Sequence, residues 1–178
     1  NRNLRLKVPK NFEKIFKNTV IENIQRKSKY LILVFDNHLY CVIHLGMSGT
    51  LHFIGLKKKT TNLSFYGSQS LPKKHNHIIF RFKNFKLIYN DPRRFGFFKI
   101  LENKKDYLKF FTRIGPEAIS KDFNKKYLSQ ILKNRTKNIK NLLLDQKLVS
   151  GLGNIYVNEI LFQAKINPFK KSYLINLD

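Results

Sequence analysis

Leu148-Val149-Ser150-Gly151-Leu152-Gly153-Asn154-Ile155-Tyr156-Val157-Asn158-Glu159 is the stretch whose reading decides the fold. Residues 149–154 lie between helical patterns and hold two glycines, a length and composition that fit only a pair of tight turns. Before them Ile139, Leu142, Leu143 and Gln146 recur at helical spacing, and after them Ile155, Tyr156, Glu159, Ile160 and Ala164 mark another helix. A further helical face, Phe123, Tyr127, Leu128, Ile131 and Leu132, comes earlier, so the chain beyond Gly115-Pro116 is expected to be all-helical. Closely turning glycine backbone leaves amides free, and the helix that follows adds the positive end of its dipole. Together they make an anion site with Asn154 as a side-chain donor beside it. A plain helix-turn-helix corner is the alternative, and taken alone the commoner one.

Working outward, the period changes. Residues 31–35, 39–44, 50–54, 77–82, 85–89 and 97–101 read as short strands, with Asp36-Asn37 and Lys83-Asn84 as hairpin turns. The polar, basic stretch 57–74 reads as a long surface loop. The expected fold class is α+β: an antiparallel β-sandwich over 1–104, a linker over 105–120 and an all-helical domain over 121–178. No internal repeat is visible.

Lysine and arginine number 35 against 11 acidic residues, a formal charge of +24, while 42% of the chain is hydrophobic. Such a chain can bury a core and still seek a polyanion. Compositional drift toward lysine accounts for some of the excess, but arginine and histidine stand beside glycine and aromatic residues in compact clusters, which argues for binding. The single cysteine, Cys41, lies in an apolar run and reads as a buried thiol; it excludes a disulfide framework within the chain and a cysteine-rich zinc site. No apolar run is long enough to span a bilayer and Asn1 does not open a signal peptide, so an intracellular, soluble protein is expected; a monomer is the expected state. The chain starts at Asn1 and has only one methionine, Met47, from which a start upstream of Asn1 is expected. Neither a serine triad, a carboxylate pair for glycoside hydrolysis nor a phosphate-binding loop ahead of Lys-Ser/Thr is present.

The segment Ile139-Lys140-Asn141-Leu142-Leu143-Leu144-Asp145-Gln146-Lys147 with the turn after it resembles the helix-two-turns-helix element of the formamidopyrimidine-DNA glycosylase and endonuclease VIII family. The likeness runs back in order through Arg113-Ile114-Gly115-Pro116-Glu117, Asn90-Asp91-Pro92-Arg93-Arg94-Phe95-Gly96, His44-Leu45-Gly46-Met47-Ser48-Gly49 and Arg26-Lys27-Ser28-Lys29-Tyr30, covering residues 20–170. The two middle motifs favour the formamidopyrimidine branch. The resemblance implies base-excision repair on double-stranded DNA, with excision of oxidised purines and cleavage of abasic sites by β,δ-elimination. It also implies an N-terminal proline nucleophile followed by glutamate, expected before Asn1, and a zinc finger expected after the helical domain. The chain as given is therefore expected to keep DNA contacts, with no cofactor of its own and with weak lyase action at most. A nucleoid-associated, cytoplasmic setting follows.

Residue by residue, the resemblance makes Met47, Arg93 and Phe95 fill the gap left by an extruded base. Their chemistry agrees: a flexible apolar side chain, a planar wedge and a cation that donates to the orphaned partner base. An ordinary core methionine and a surface ion pair of Arg93 with Asp91 are the alternatives. Lys29 matches the lysine that contacts the phosphate beside the lesion and donates a proton in strand cleavage; a solvated surface charge is the alternative. His75 and Arg135 match DNA-contacting residues, and Asn154, the donor beside the glycine turn, with His44 and Lys147, inside matching motifs, complete the expected set with Arg93. His75 and His77 alternate like metal ligands but lack a third partner. Glu159 reads as a buried helper facing the turn or, more commonly, as a plain helix residue. The competing functions are a non-catalytic nucleic-acid-binding module and an endonuclease VIII-type enzyme for oxidised pyrimidines.

Overall fold

The apolar alternation along the first hundred residues becomes two antiparallel sheets in a computed structural model that describes residues 3–55, 60–62 and 72–177. In chain order the strands are β1 (Ile21–Lys27), β2 (Tyr30–Phe35), β3 (Tyr40–His44), β4 (Thr50–Gly55), β5 (Thr60–Asn62), β6 (Asn76–Arg81), β7 (Phe85–Asn90) and β8 (Phe97–Leu101). They assemble as β1-β2-β3-β8 and β5-β4-β7-β6. Leu33, Phe35, Cys41, Ile43, Leu51, Ile78, Tyr89 and Phe98 form the core, with Phe12 and Phe16 of a short helix, α1 (Phe12–Phe16), packed against it. Cys41 is fully buried, and the loss of hydration pushes its thiol up to about 12.

Register positions the motif turns. His44, the last residue of β3, pairs with Phe97, the first of β8, and Thr50, the first of β4, pairs with Asn90, the last of β7. The β3–β4 turn and the β7–β8 turn are thereby forced to emerge side by side at one end of the sandwich. β1 escapes the alternation rule because only its two ends are even half-buried. The stretch expected to be a loop over 57–74 contains the strand Thr60–Asn62, paired with β4, and a 3₁₀ turn at Lys73–His75; positions 57–59 and 63–71 lie outside the described residues. The stretch read as a linker carries a helix, α2 (Lys104–Phe111), whose Phe111 is buried.

The chain divides into two units, Asn1–Arg26 with Tyr30–Lys104, and Lys27–Lys29 with Lys105–Asp178. In the second, α3 (Lys125–Leu132), α4 (Ile139–Leu144) and α5 (Asn154–Gln163) bury Ile131, Leu132, Ile139, Leu142, Leu143, Val149, Leu152, Val157 and Leu161 together. Asn124 and Asn138 cap α3 and α4 by accepting from the Tyr127 and Asn141 amides, satisfying donors that the first helical turn leaves free. Two expectations are corrected here. Gln146 lies beyond α4, which ends at Leu144, and the face named for α5 is the outer one: Ile155 and Tyr156 are 61% and 66% exposed, whereas Val157 is fully buried. α5 is apolar on nearly every side, so periodicity alone could not choose its inner face. Among the described residues no helix is long and apolar enough to cross a membrane.

Candidate nucleic-acid interface

Asp91 organises the end of the sandwich. Its fully buried carboxylate accepts from the Ser48 hydroxyl (2.5 Å) and the Arg93 amide (3.2 Å) on one oxygen, and from the Tyr89 hydroxyl and the Gly96 amide (both 2.9 Å) on the other. Burial works to raise the Asp91 pKa, but the hydrogen bonds from Ser48, Gly96, Tyr89 and the Arg94 amide outweigh it and hold the carboxyl below its ordinary value. Burial, then the neighbouring carboxylate, push the Tyr89 hydroxyl up. The two turns are thus stitched together through one anion. Gly46 makes the close approach possible: its φ is +71°, and a Cβ there would fall 2.6 Å from the Gly96 amide nitrogen.

On this frame Met47 is 65% exposed and Phe95 45%, and the Arg93 guanidinium lies 4.6 Å from the centre of the Phe95 ring. A core role for Met47 is excluded by that exposure. Arg93 meets Asp91 through its backbone amide while its guanidinium stacks on Phe95. His44 stacks on Phe97 at 5.5 Å and 9°, and its Nδ1 accepts from the Gly46 amide, so its ring shapes the turn. The His75 carbonyl accepts from the Asp91 amide, and His77 Nε2 stands 2.8 Å from the Asp91 carbonyl oxygen. A carbonyl only accepts, so His77 carries a proton on Nε2 and serves as a strut. Met47, Arg93, Phe95, His44 and His75 are therefore gathered on one connected set of turns.

In the helical unit Gly151 adopts φ +89° and Gly153 precedes α5 in extended conformation. Lys29 Nζ donates to the Leu152 carbonyl at 2.5 Å and would lie 3.5 Å from a Cβ on Gly153. Backbone packed around it strips hydration from the ammonium and lowers its pKa. The turn that carries Lys29 is anchored by the Ser28 amide, which donates to the Glu117 carboxylate at 2.8 Å. Asn154 is the exposed first residue of α5. Lys147 is exposed and its amide donates to Asp145. Arg135 is exposed on the α3–α4 connection, near enough to Tyr127 to act on its hydroxyl, which donates to the Leu148 carbonyl. Lys29 and the glycine turn come together; Arg135 and Lys147 occupy separate places on the unit's surface.

Residue reasoning passed over Asp91 as an organiser and Gln146 as anything but a helix position. Asp ahead of Pro in a turn was the available signal for the first, since a short carboxylate there captures nearby amides. Cys41 is inside the sandwich core, and among the described residues no three of His, Cys, Asp and Glu gather as metal ligands.

A β-sandwich whose paired turns expose Met, Arg and Phe, followed by two glycine turns between helices, defines a class built from an N-terminal sandwich domain and an H2TH domain. The formamidopyrimidine-DNA glycosylase N-terminal domain model matches residues 1–98, and the formamidopyrimidine-DNA glycosylase H2TH domain model matches 114–178. The chain belongs to the formamidopyrimidine-DNA glycosylase family. It is 41% identical over 171 residues to the formamidopyrimidine-DNA glycosylase of Wolbachia pipientis subsp. Culex pipiens, covering 96% of this chain and 58% of that protein. Against the one from Syntrophomonas wolfei it is 45% identical over 154 residues, 86% of this chain and 52% of that one. Its fold is similar to that of the Lactococcus lactis enzyme in complex with abasic-site DNA, at TM-score 0.79 and 34% identity over 93% of this chain and 58% of that one. The chain thus spans a little over half the length of the relatives it matches.

Proposed function

We propose that this chain is the DNA-gripping portion of a base-excision repair enzyme that recognises and excises oxidised purines and cleaves the strand at the resulting abasic site. The observation that carries the reading is the exposed trio Met47, Arg93 and Phe95 on turns locked by Asp91. Met47 and Phe95, with the Arg93 guanidinium on the Phe95 ring, present apolar surface on rigid turns that a partner can cover. A gap in a base stack does that, with a guanidinium at hand for the unpaired base. Solved relatives bound to abasic-site DNA and to DNA containing Fapy-dG support the same partner.

In the helical unit, the free amides at the start of α5, the side chain of Asn154 and the Lys29 ammonium converge as donors for a backbone phosphate. Lys29 has the further role of neutralising charge that develops on the phosphate leaving during elimination, and of giving it a proton, which its lowered pKa eases. Arg135, Lys147 and His75 hold phosphates elsewhere on the duplex. With DNA as substrate, the protein works as a monomer at the nucleoid of a bacterial cytoplasm.

Binding to a duplex holding a tetrahydrofuran abasic site, against the intact duplex, tests this. The expected preference is about tenfold or more, because a missing base spares some of the few kcal/mol of unstacking. Met47→Ala with Phe95→Ala should erase the preference while leaving affinity for intact duplex largely unchanged. Equal affinity of the unaltered chain for both duplexes would overturn the reading.

A further inference from the structure

Gln146 sits two residues past the end of α4, with its side chain folded back across the turn. Its Nε2 donates to the Leu144 carbonyl at 3.1 Å and to the Leu152 carbonyl at 2.9 Å, while its Oε1 accepts from the Gly151 amide at 3.1 Å. These partners admit only one orientation of the amide, since two carbonyls demand the NH₂ and a backbone N–H demands the oxygen. The Gln146 carbonyl accepts from the Gly115 amide at 2.9 Å, so the residue is held by backbone and side chain alike.

Leu152 is where this matters. Its carbonyl oxygen receives two donors, Gln146 Nε2 and Lys29 Nζ, which fills both lone pairs. The peptide carrying that carbonyl joins Leu152 to Gly153 and follows Gly151, a residue in left-handed conformation, so nothing in regular secondary structure fixes where it points. Gln146 fixes it. The carbonyl in turn fixes the tip of Lys29, a side chain with a long flexible stem whose freedom would otherwise spread the charge over many positions. The other end of Lys29 is held through Ser28, which is buried and takes φ +56°, with its amide bound to Glu117 and its hydroxyl donating to Gln146 Oε1 at 3.5 Å, so Gln146 touches both ends of the lysine's anchorage. One ammonium proton goes to Leu152, leaving two for an anion at the start of α5.

We propose that Gln146 is a positioning residue for Lys29, acting through the Leu152 carbonyl to hold the ammonium beside Gly153. The consequence for DNA rests on the reading of Lys29 as a phosphate-facing cation; the consequence for Lys29 itself does not.

The test compares the full chain with Gln146→Ala and the nearly isosteric Gln146→Glu, which keeps the acceptor for Gly151 but cannot donate to either carbonyl. Lys29 is followed without DNA by the pH titration of its ¹³Cε resonance in lysine-labelled protein, assigned by its loss in Lys29→Ala. Its midpoint should lie below that of the exposed lysines in the unaltered chain. It should rise to meet them in Gln146→Ala and rise at least as far in Gln146→Glu, where a carboxylate stands near the ammonium. A residue that merely steadied the turn would lower Tm and leave this midpoint in place. Binding to abasic duplex supplies the second readout. Gln146→Ala should cost about tenfold, roughly one charge-assisted contact, and cost nothing further once Lys29 is alanine. A Lys29 midpoint unmoved in folded Gln146→Ala, or equal losses with and without Lys29, overturns the proposal. Should the unaltered chain bind no DNA while the midpoint still follows Gln146, positioning stands and the phosphate reading falls.

Discussion

Asp91 is the single residue on which the sandwich end depends. Donors from the Ser48 turn, from Tyr89 and from the turn over residues 93–96 converge on a carboxylate with no exposed surface, at least two on each oxygen. Asp91→Asn keeps the shape but turns an NH₂ toward two of those donors, leaving them unpaired in the interior. A loss of about 1–3 kcal/mol is expected in urea unfolding at neutral pH. The pH dependence has a definite sign. A carboxyl whose folded pKa lies below its unfolded value of about 3.9 adds stability above that value and surrenders it as pH falls through the folded one. Asp91 is of this kind. The gap in stability between the unaltered chain and Asp91→Asn should therefore be constant from neutral pH down to about 5 and close below about 4. A gap that persists undiminished to pH 2 would show that the hydrogen bonds to the ionised form are not its cause.

At the scale of elements, legibility followed periodicity. Strands β2, β3, β4, β6, β7 and β8 and helices α3, α4 and α5 were readable because each is a short apolar run or a helical apolar repeat bounded by turn residues. β1 was not, since it lacks an alternating buried face, and neither was the three-residue β5. The motif turns could be located from glycine, proline and resemblance. Their internal wiring could not, because side-chain bonds to backbone, such as those of Asp91 and Gln146, leave no period in a sequence. α5 shows the limit most sharply: its type and place were legible, its inner face was not. The corrected face makes a test. Leu161→Ala should cost about 2–5 kcal/mol as a buried truncation, and Ile160→Ala, on the exposed side, no more than about 0.5 kcal/mol. Reversed magnitudes would return the helix to the face that periodicity suggested.

Charge is a property of the whole molecule, and +24 admits two explanations that act at different places. Compositional drift puts lysine wherever the surface tolerates it; selection for a polyanion puts cations where phosphates pass. The slope of log affinity against log salt separates them because it counts cations that displace counterions, at roughly −0.9 per phosphate. Lys29, Arg135 and Lys147 are the helical unit's candidates. Arg81, Lys83 and Lys86 cluster at the other end of the β6–β7 hairpin from the Asn76–Asn90 pair, roughly 17 Å away along the strands. Replacing the first three together by alanine should flatten the salt dependence for intact duplex by about 2.7, whereas replacing the second three should leave it unchanged. The abasic-to-intact ratio should vary little with salt in either background, because Met47 and Phe95 carry no charge and their gain comes from apolar contact with the unstacked site. Equal flattening by both triple replacements would mean that the charge acts as a diffuse coat, and the assignment of particular phosphate-binding residues would be lost with it.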